Sequence, residues 1–302
     1  MHQKTIHTWL LSLALLSINM ACTKEQDLTA PDQAYLEIPD NRFEELLIAQ
    51  GIDTDQTINQ QIARADAAAV TRLDLSVAGN QEVISNLSGI EGFVNLTFLA
   101  AAGHEFTEVD LSANADLDTL ILANNLLSDI DLSSNPRLEY VDLIANELLS
   151  VTGLNNARSL QWLNLSWNYL EELILDNPSL EVLFATHNQL GAVDLTKATN
   201  LKNILLRSNQ LTEIDLRTNT KLETVILSDN QLSEIDLSLN SQLAYLYMSS
   251  NVFAQLDVTN NLNLVDLRVH NNPYLSCIQV GEGQEIPTVS LSEGQQLRVD
   301  CN

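Results

Sequence analysis

The chain has 302 residues, of which 45% are hydrophobic, and its 14 Lys and Arg against 40 Asp and Glu give a formal net charge of −26. Such a negative field repels nucleic acid and anionic membrane surfaces and favours cationic partners, so we expect no nucleic-acid binding. The sequence has no apolar run of the roughly 18–20 residues that a membrane-spanning helix needs.

The N-terminus has the pattern of an export signal. Lys4 precedes the apolar run 9–18, which is too short to span a bilayer but typical of a signal-peptide core. Cys22 follows directly after Ala21, and residues 23–31 are polar and end in proline, as expected of a flexible tether. We therefore predict a signal peptide over 1–21 and a tether over 22–35. The alternative is an ordinary signal peptide with an incidental cysteine.

The residues around Cys22 resemble a bacterial lipobox, in which a small residue stands before a cysteine at the end of the signal core. The resemblance implies that Cys22 begins the mature chain and carries the lipids. The Lys24-Glu25 step is similar to the acidic export signals of Bacteroidota-type surface lipoproteins. Together these imply a lipid-anchored protein at the outer membrane or cell surface, touching the membrane through its anchor only.

An N-terminal helical cap is predicted over residues 36–69. Asp40 is a good N-cap for a helix over 41–50, and Gly51 is a stop signal. Such a helix has an apolar face formed by Phe43, Leu46 and Leu47.

The following DTDQTI segment suggests a calcium loop because Asp53 and Asp55 are spaced like its first ligands. The sixth position, however, is Ile58 rather than glycine, and the twelfth is Arg64 rather than glutamate. The five histidines show no paired metal spacing either. We therefore expect no metal and no cofactor.

The strongest pattern is an internal repeat. A leucine recurs at steps of 20 to 22 residues, mostly 21, with apolar residues three and five places on. One unit has too little apolar surface to bury alone, so neighbouring units must stack and pool their leucines in one core. The recurring leucines are Leu96, Leu117, Leu138, Leu160, Leu180, Leu201, Leu222, Leu243 and Leu264.

An asparagine follows eight places after each of these leucines except the first, after which His104 stands. An amide that both donates and accepts can satisfy the backbone of a turn in its own and adjacent coils, so we predict a buried structural ladder. Its members are Asn125, Asn146, Asn168, Asn188, Asn209, Asn230, Asn251 and Asn272.

This pattern resembles the leucine-rich-repeat consensus LxxLxLxxNxL, in the 21-residue internalin-like form, over residues 70–276. The resemblance implies a flat coil with short parallel strands on one or both sides. We predict a β-rich repeat solenoid of about ten coils.

The second half of each unit carries an acidic column. Its aspartates stand beside Ser and Thr residues that can donate hydrogen bonds to the carboxylates. A solvated surface that keeps the protein soluble is the simpler interpretation, and a site for divalent ions or a basic protein is the alternative. The aspartates are Asp110, Asp131, Asp194, Asp215, Asp236 and Asp257.

The first strand of each unit points apolar and aromatic residues outward, where an exposed sheet should be mostly polar. Because aromatic side chains dominate interaction hot spots, we predict a ligand-binding face, centred on the two units of 22 and 20 residues, where we expect a local change of pitch. The alternative is that these rings only stack on one another between coils. The predicted binding residues are Tyr140, Trp162, Trp167, Phe184, Leu205, Arg207, Ile226, Tyr245 and Tyr247.

A C-terminal cap is predicted over 277–302. With Cys22 as the anchor, Cys277 and Cys301 remain as an even pair in an oxidising compartment, which favours a disulfide over two separate buried thiols.

Function follows from the repeat rather than from a catalytic motif. The sequence has no phosphate-cradling glycine loop and no GxSxG, so we expect no catalytic residues and no enzyme activity. We predict a monomeric binding protein with a protein or glycan ligand, for adhesion or surface-complex assembly. The alternatives are an envelope scaffold without a high-affinity ligand and an accessory to an envelope hydrolase.

Overall fold

The computed structural model describes residues 34–79 and 82–301. The described chain is a parallel β-solenoid of stacked coils, which confirms the predicted fold class. The predicted signal peptide, Cys22 and nearly all of the predicted tether lie outside the described residues.

The N-terminal end is a small helical cap. Strand β1 (Tyr35–Glu37) pairs antiparallel with β2 (Gln61–Ala63), and between them lies helix α1 (Asn41–Ala49). Helix α1 ends one residue before the predicted 41–50 because Gln50 is its C-cap. The short helix α2 (Arg64–Ala68) follows β2.

Two carboxylates, the half-buried Asp40 and the buried Glu44, tie this cap together. Asp40 accepts hydrogen bonds from the backbone N–H groups of Arg42 and Phe43, as an N-cap does, and its other oxygen accepts from the backbone N–H of Ser85 at 2.8 Å. Glu44 is fully buried and accepts from three consecutive backbone N–H groups over residues 59–61. Through Glu44 the helix is fixed to the residues that lead into β2, and through Asp40 it is fixed to the loop that contains Ser85.

Eleven parallel strands form one continuous sheet, which we call the front sheet. Each strand has three residues and pairs in register with the corresponding strand of the next coil. The strands are β3 (Arg72–Asp74), β4 (Phe98–Ala100), β5 (Thr119–Ile121), β7 (Tyr140–Asp142), β9 (Trp162–Asn164), β11 (Val182–Phe184), β13 (Asn203–Leu205), β14 (Thr224–Ile226), β15 (Tyr245–Tyr247), β17 (Asp266–Arg268) and β19 (Thr288–Ser290).

The middle residue of each front strand points into the core. From Leu73 to Leu267 these residues form a column of Leu, Val and Ile with 0% exposure. Full burial of each such side chain stabilises by about 1.5–3 kcal/mol. The repeat leucines, from Leu96 to Leu264, join the same core at 0–2% exposure, so the 21-residue interval is the interval of burial.

The asparagine that follows each front strand joins two coils. Asn209 shows the pattern: its amide nitrogen donates to the carbonyls of Ala185 and Leu206, both at 2.9 Å, and its oxygen accepts from the N–H of Leu190 at 3.1 Å. The same three contacts recur in the rest of the predicted ladder from Asn146 to Asn272. Asn125 makes the donated bonds, but its oxygen has no partner among the described residues.

A second asparagine ladder runs along the other side of the coils. Each member is fully buried and donates to two carbonyls of the preceding coil, while its oxygen has no hydrogen-bond partner among the described residues. Gln284 and Gln295 continue the two ladders into the C-terminal cap with equivalent donated bonds. The second ladder consists of Asn114, Asn135, Asn177, Asn219, Asn240 and Asn261.

His104, which interrupts the first ladder, forms the same kind of contacts as its asparagines. Its Nδ1 accepts from the N–H of Ile84 at 3.0 Å, and its Nε2 lies 2.8 Å from the carbonyl of Leu75. These partners require a neutral ring with the proton on Nε2, and burial lowers the pKa of His104.

We expect His104 to make folding pH-sensitive. Since its folded pKa lies below its unfolded value, its contribution is complete above about pH 6.5 and is lost as the pH falls towards the folded pKa, with a slope of at most about 1.4 kcal/mol per pH unit. His104→Asn keeps one donor and one acceptor but does not titrate in this range. The free energy of unfolding of this variant should therefore change less between pH 7.5 and 5.5 than that of wild type. Urea titrations at each pH measure this, with His187→Asn as control. Equal slopes for wild type and His104→Asn would contradict it.

The opposite side of the coils, the back face, has strands only in separate groups. Between residues 192–194 and 256–257 the described chain forms no back strand, although residues 213–215 and 234–236 stand at equivalent positions. The groups are β6 (Asp129–Asp131) with β8 (Ser150–Thr152), β10 (Glu172–Ile174) with β12 (Ala192–Asp194), and β16 (Leu256–Asp257) with β18 (Cys277–Gln279) and β20 (Gln296–Arg298).

The predicted change of pitch in the two irregular units does not occur on the front sheet. Tyr140, Trp162 and Val182 remain direct register partners through both units. In the first of them the back half turns through a 3-10 helix at Leu154–Asn156, preceded by Gly153 with a φ of 78°. The irregularity is therefore accommodated on the back of the coil.

The C-terminal cap is closed by the predicted disulfide between Cys277 and Cys301. Cys277 opens strand β18, which pairs with β16 of the last full repeat and with β20 of the cap. Among the described residues, no helix has the length and apolarity that crossing a membrane requires.

Candidate binding face

The front sheet presents two outward columns, formed by the first and third residues of its strands. Tyr140, Trp162 and Tyr245 lie in the first column. The second column brings four predicted residues together in consecutive coils: Phe184, Leu205, Ile226 and Tyr247. Trp167 and Arg207 lie beyond the strand ends, in the turns that lead to the back face.

Three half-buried rings form what we call the aromatic row. The rings of Tyr140 and Trp162 are stacked with centroids 4.1 Å apart and an interplanar angle of 4°, and Phe184 meets Trp162 edge-on at 5.7 Å. Such pairs contribute about 0.5–1.5 kcal/mol each beyond their area burial. The predicted alternative of stacking between coils therefore describes part of this face.

Trp167 belongs to a separate pair. Its ring stacks on that of His187 at 3.8 Å, yet its side chain remains 56% exposed. The backbone of Trp167 is left-handed, with a φ of 60°. This conformation is uncommon for residues other than glycine and favours Asn, Asp and His. Tyr169, two residues further on, is 48% exposed.

The left-handed position recurs in every coil, just before the first-ladder asparagine. A small or polar residue or His187 occupies it elsewhere, so the turn itself does not need a tryptophan. Unusual residues at such positions are often found at functional sites. The other occupants are Gly103, Asn124, Ala145, His187, Ser208, Asp229, Ser250 and Asn271.

Near both ends of the front sheet, an arginine side chain of the chain itself covers an aromatic ring. The Arg72 guanidinium lies 3.4 Å from the centroid of the Phe98 ring, and that of Arg268 lies 4.2 Å from the Tyr247 centroid. Arg207, a predicted binding residue, forms an ion pair with Asp229 at 2.7 Å. Its guanidinium is therefore already neutralised by the adjacent coil.

Burial and hydrogen bonds set the charges on this face. Burial raises the pKa of the Asp142 carboxyl, which accepts a hydrogen bond from the N–H of Ile144. Burial, followed by the nearby Asp142 charge, also raises the pKa of Tyr140. Lys202 and Glu181 form an ion pair at 2.8 Å, which leaves the surroundings of the aromatic row acidic or neutral.

The back aspartate column has a local structural role. Each of its six carboxylates accepts from the backbone N–H two residues on, an Asx turn that starts the next bend. The side-chain hydrogen bond from Arg217 lowers the pKa of Asp215 to about 2. Ser and Thr hydroxyls lower the pKa of Asp110, Asp131, Asp194 and Asp236 in the same way. One oxygen of each aspartate is thus committed to the fold.

No metal centre stands out in the described part of the chain. No group of three or more His, Cys, Asp or Glu side chains there is placed to hold a metal ion. Asp53, in the segment that departs from the calcium-loop pattern, is buried; this burial raises the pKa of its carboxyl, and its Oδ1 accepts from the N–H of Asp55.

Sequence reasoning missed the partners of several site residues. His187 stands at the same position of the coil that follows Trp167. The repeat spacing alone therefore indicates that the two rings lie next to each other. Arg72 and Arg268 were equally visible as in-register neighbours of Phe98 and Tyr247.

Solved structures are similar to this chain, whereas no protein-family model and no curated protein matches it. The functional domain of InlJ from Listeria monocytogenes has a TM-score of 0.73 at 24% identity, covering 88% of this chain and 63% of that domain. Internalin C2 from Listeria monocytogenes has a TM-score of 0.55 at 22% identity, covering 84% of this chain and 94% of that one.

The LRIM1/APL1C complex has a TM-score of 0.58 at 25% identity, covering 77% of this chain and 47% of the matched chain. Together with the 21-residue repeat, these likenesses show that the fold is the leucine-rich-repeat solenoid of internalin type. The chain spans 63% of the length of the InlJ domain that it matches.

Proposed function

We propose that this chain is a non-enzymatic binding protein of the bacterial envelope or cell surface. It recognises a protein or glycan through its front face, which we define as the outward side of the front sheet together with the turns that follow its strands. The observation that carries the proposal is Trp167: a large aromatic side chain, 56% exposed, on a left-handed backbone where neighbouring coils use small or polar residues. The turn itself does not need a tryptophan, and more than half of the side chain stays open beyond its stack on His187, so a ligand is the better reason for it.

The surrounding surface supports this proposal. The aromatic row spans the coil of Trp167 and the coils on either side of it, and Tyr169 and Tyr245 add rings that are 48% and 43% exposed. Tryptophan and tyrosine are enriched among residues that dominate binding energy. One similar solved structure, the LRIM1/APL1C complex, is an assembly of two different proteins.

The location and assembly in the proposal come from the sequence. Cys22 would carry the lipid anchor, and residues 22–35 would separate it from the cap at 36–69. The repeats at 70–276 and the cap at 277–302 would then stand away from the membrane as a monomer. Labelling of Cys22 with a palmitate analogue, lost in Cys22→Ser, tests the anchor.

The binding proposal is tested by chemical cross-linking of the full chain on intact cells, followed by affinity measurements with the captured partner. We expect Trp167→Asn to weaken binding at least about tenfold, since hot-spot residues contribute about 2 kcal/mol or more. Asparagine tolerates the left-handed backbone, so the melting temperature should stay close to that of wild type. Trp162→Ala and Phe184→Ala should also weaken binding.

Thr224→Ala on the same sheet is the matched control and should leave affinity unchanged. A partner that does not saturate, or full binding by Trp167→Asn, would overturn the proposal.

The second candidate is an envelope scaffold without a high-affinity ligand. The close stack of Tyr140 on Trp162 favours it, because a stabilising stack needs no ligand. In that case Trp162→Ala and Phe184→Ala should lower the melting temperature while every surface variant leaves cross-linking unchanged.

A further inference from the structure

The back face contains a groove that is independent of the front binding face. Four successive coils, at residues 172–174, 192–194, 213–215 and 234–236, surround a cavity of about 770 Å³. We call it the back groove.

The floor of the back groove is apolar. Val193, Ile214 and Ile235 occupy the inward-facing position of their coils but are only partly buried. At the same position outside the groove, Ile130 and Leu173 are 3% and 6% exposed, whereas Val109 and Val151 are partly buried as well. What distinguishes the groove is that three such partly open side chains follow one another in successive coils.

The backbone ladder of the back face is broken at this floor. Within the described chain, no backbone hydrogen bond joins residues 213–215 to 192–194 or to 234–236. Pairing holds neighbouring strands about 4.8 Å apart, and coils without it are free to separate. The front strands of the same coils remain paired, so the break is confined to the back.

The rims of the groove are acidic. The single cation, Arg217, is bound by both oxygens of Asp215, at 3.0 and 2.7 Å, so it offers no charge to a ligand. The remaining carboxylates stand on both sides of the apolar floor. They are Glu172, Asp194, Glu213, Glu234 and Asp236.

We propose that the back groove binds a short basic segment of a partner protein, with apolar side chains on the floor and Lys or Arg side chains on the rims. Charge complementarity selects this occupant: the groove has five carboxylates that form no ion pair among the described residues, and these together with a net chain charge of −26 attract a cation. The partly buried isoleucines favour a ligand that has an apolar side chain between its charges, because that side chain can cover them. A bare ion has no such group.

Two fluorescent peptides serve as probes for the full chain, at about 0.15 M salt so that long-range attraction is screened. Lys-Leu-Lys-Leu-Lys carries both features, and Lys-Ser-Lys-Ser-Lys carries the charge alone. We expect the leucine peptide to bind at least tenfold more tightly in fluorescence anisotropy. Equal binding of the two peptides would overturn the proposal.

The groove is located with charge-matched variants. Glu213→Gln with Glu234→Gln should weaken the leucine peptide at least tenfold. Glu108→Gln with Asp129→Asn removes the same charge from the equivalent positions of two coils outside the groove and should change affinity less than twofold. If both pairs weaken binding equally, the attraction is general and the groove is not the site.

A third variant fills the groove without changing charge. A Cβ atom added at Gly191 meets no atom within 4 Å, so Gly191→Phe should fold and block the floor. Unchanged binding by this variant would contradict the proposal. Trp167→Asn should leave peptide binding intact, which separates this site from the proposed front-face function.

Discussion

Replacing Asn209 by alanine is expected to lower the free energy of unfolding by about 3–5 kcal/mol, a large fraction of the stability of an ordinary domain. The substitution leaves the carbonyls of Ala185 and Leu206 and the N–H of Leu190 without their partner. Asn209 is only 8% exposed, so water does not readily replace it. Each buried backbone group left unsatisfied costs about 1–3 kcal/mol.

The second ladder provides the matched comparison, measured in parallel by urea unfolding. Asn219 donates to the carbonyls of Leu195 and Ala198, but its oxygen has no partner among the described residues. Asn219→Ala should therefore cost less, about 2 kcal/mol. A larger loss for Asn219→Ala than for Asn209→Ala would show that the accepted bond from Leu190 contributes little.

Removing the disulfide with Cys277→Ser and Cys301→Ser is expected to cost about 3 kcal/mol, because the bond closes a loop with a sequence separation of 24 residues. In a stacked array each coil contacts mainly its neighbours, so the loss should be concentrated near the C-terminus. Hydrogen exchange should accelerate in strands β18 and β20, which pair with each other beside the bond.

Strand β5, many coils away, is the internal control and should exchange at the wild-type rate. Faster exchange along the whole front sheet would contradict the local effect and indicate that the solenoid unfolds as one unit. Unchanged exchange at the C-terminus would mean that Gln284, Gln295 and the strand pairs hold the cap without the disulfide.

The fold was predictable from the sequence because one requirement, burial of the repeat leucines, acts on every coil in the same way. Leu201 and Leu222 are fully buried, as their 21-residue spacing indicates. The N-cap role of Asp40 was also predictable, since it depends on a local pattern.

The break in the back ladder was not predictable. Residues 129–131 and 234–236 have similar sequences, Asp-Ile-Asp and Glu-Ile-Asp, yet only the first forms a paired strand. Whether a pair forms depends on how the adjacent coils stack, which one strand's residues do not determine. The separation of Trp167 from the other aromatic residues was missed for a similar reason. Trp167 contacts His187 and not the aromatic row, because its side chain leaves the chain from a turn.

The unbroken register of the front sheet has a consequence for how such a protein changes over time. Tyr140, Trp162 and Val182 are register partners although their units differ in length. Insertions and deletions on the back of a coil therefore leave the register of the front sheet unchanged. Gain or loss of a whole coil would shift one group of surface side chains relative to another by a single strand spacing, about 4.8 Å, without remodelling either. The array can therefore be retuned in discrete steps while its core stays the same.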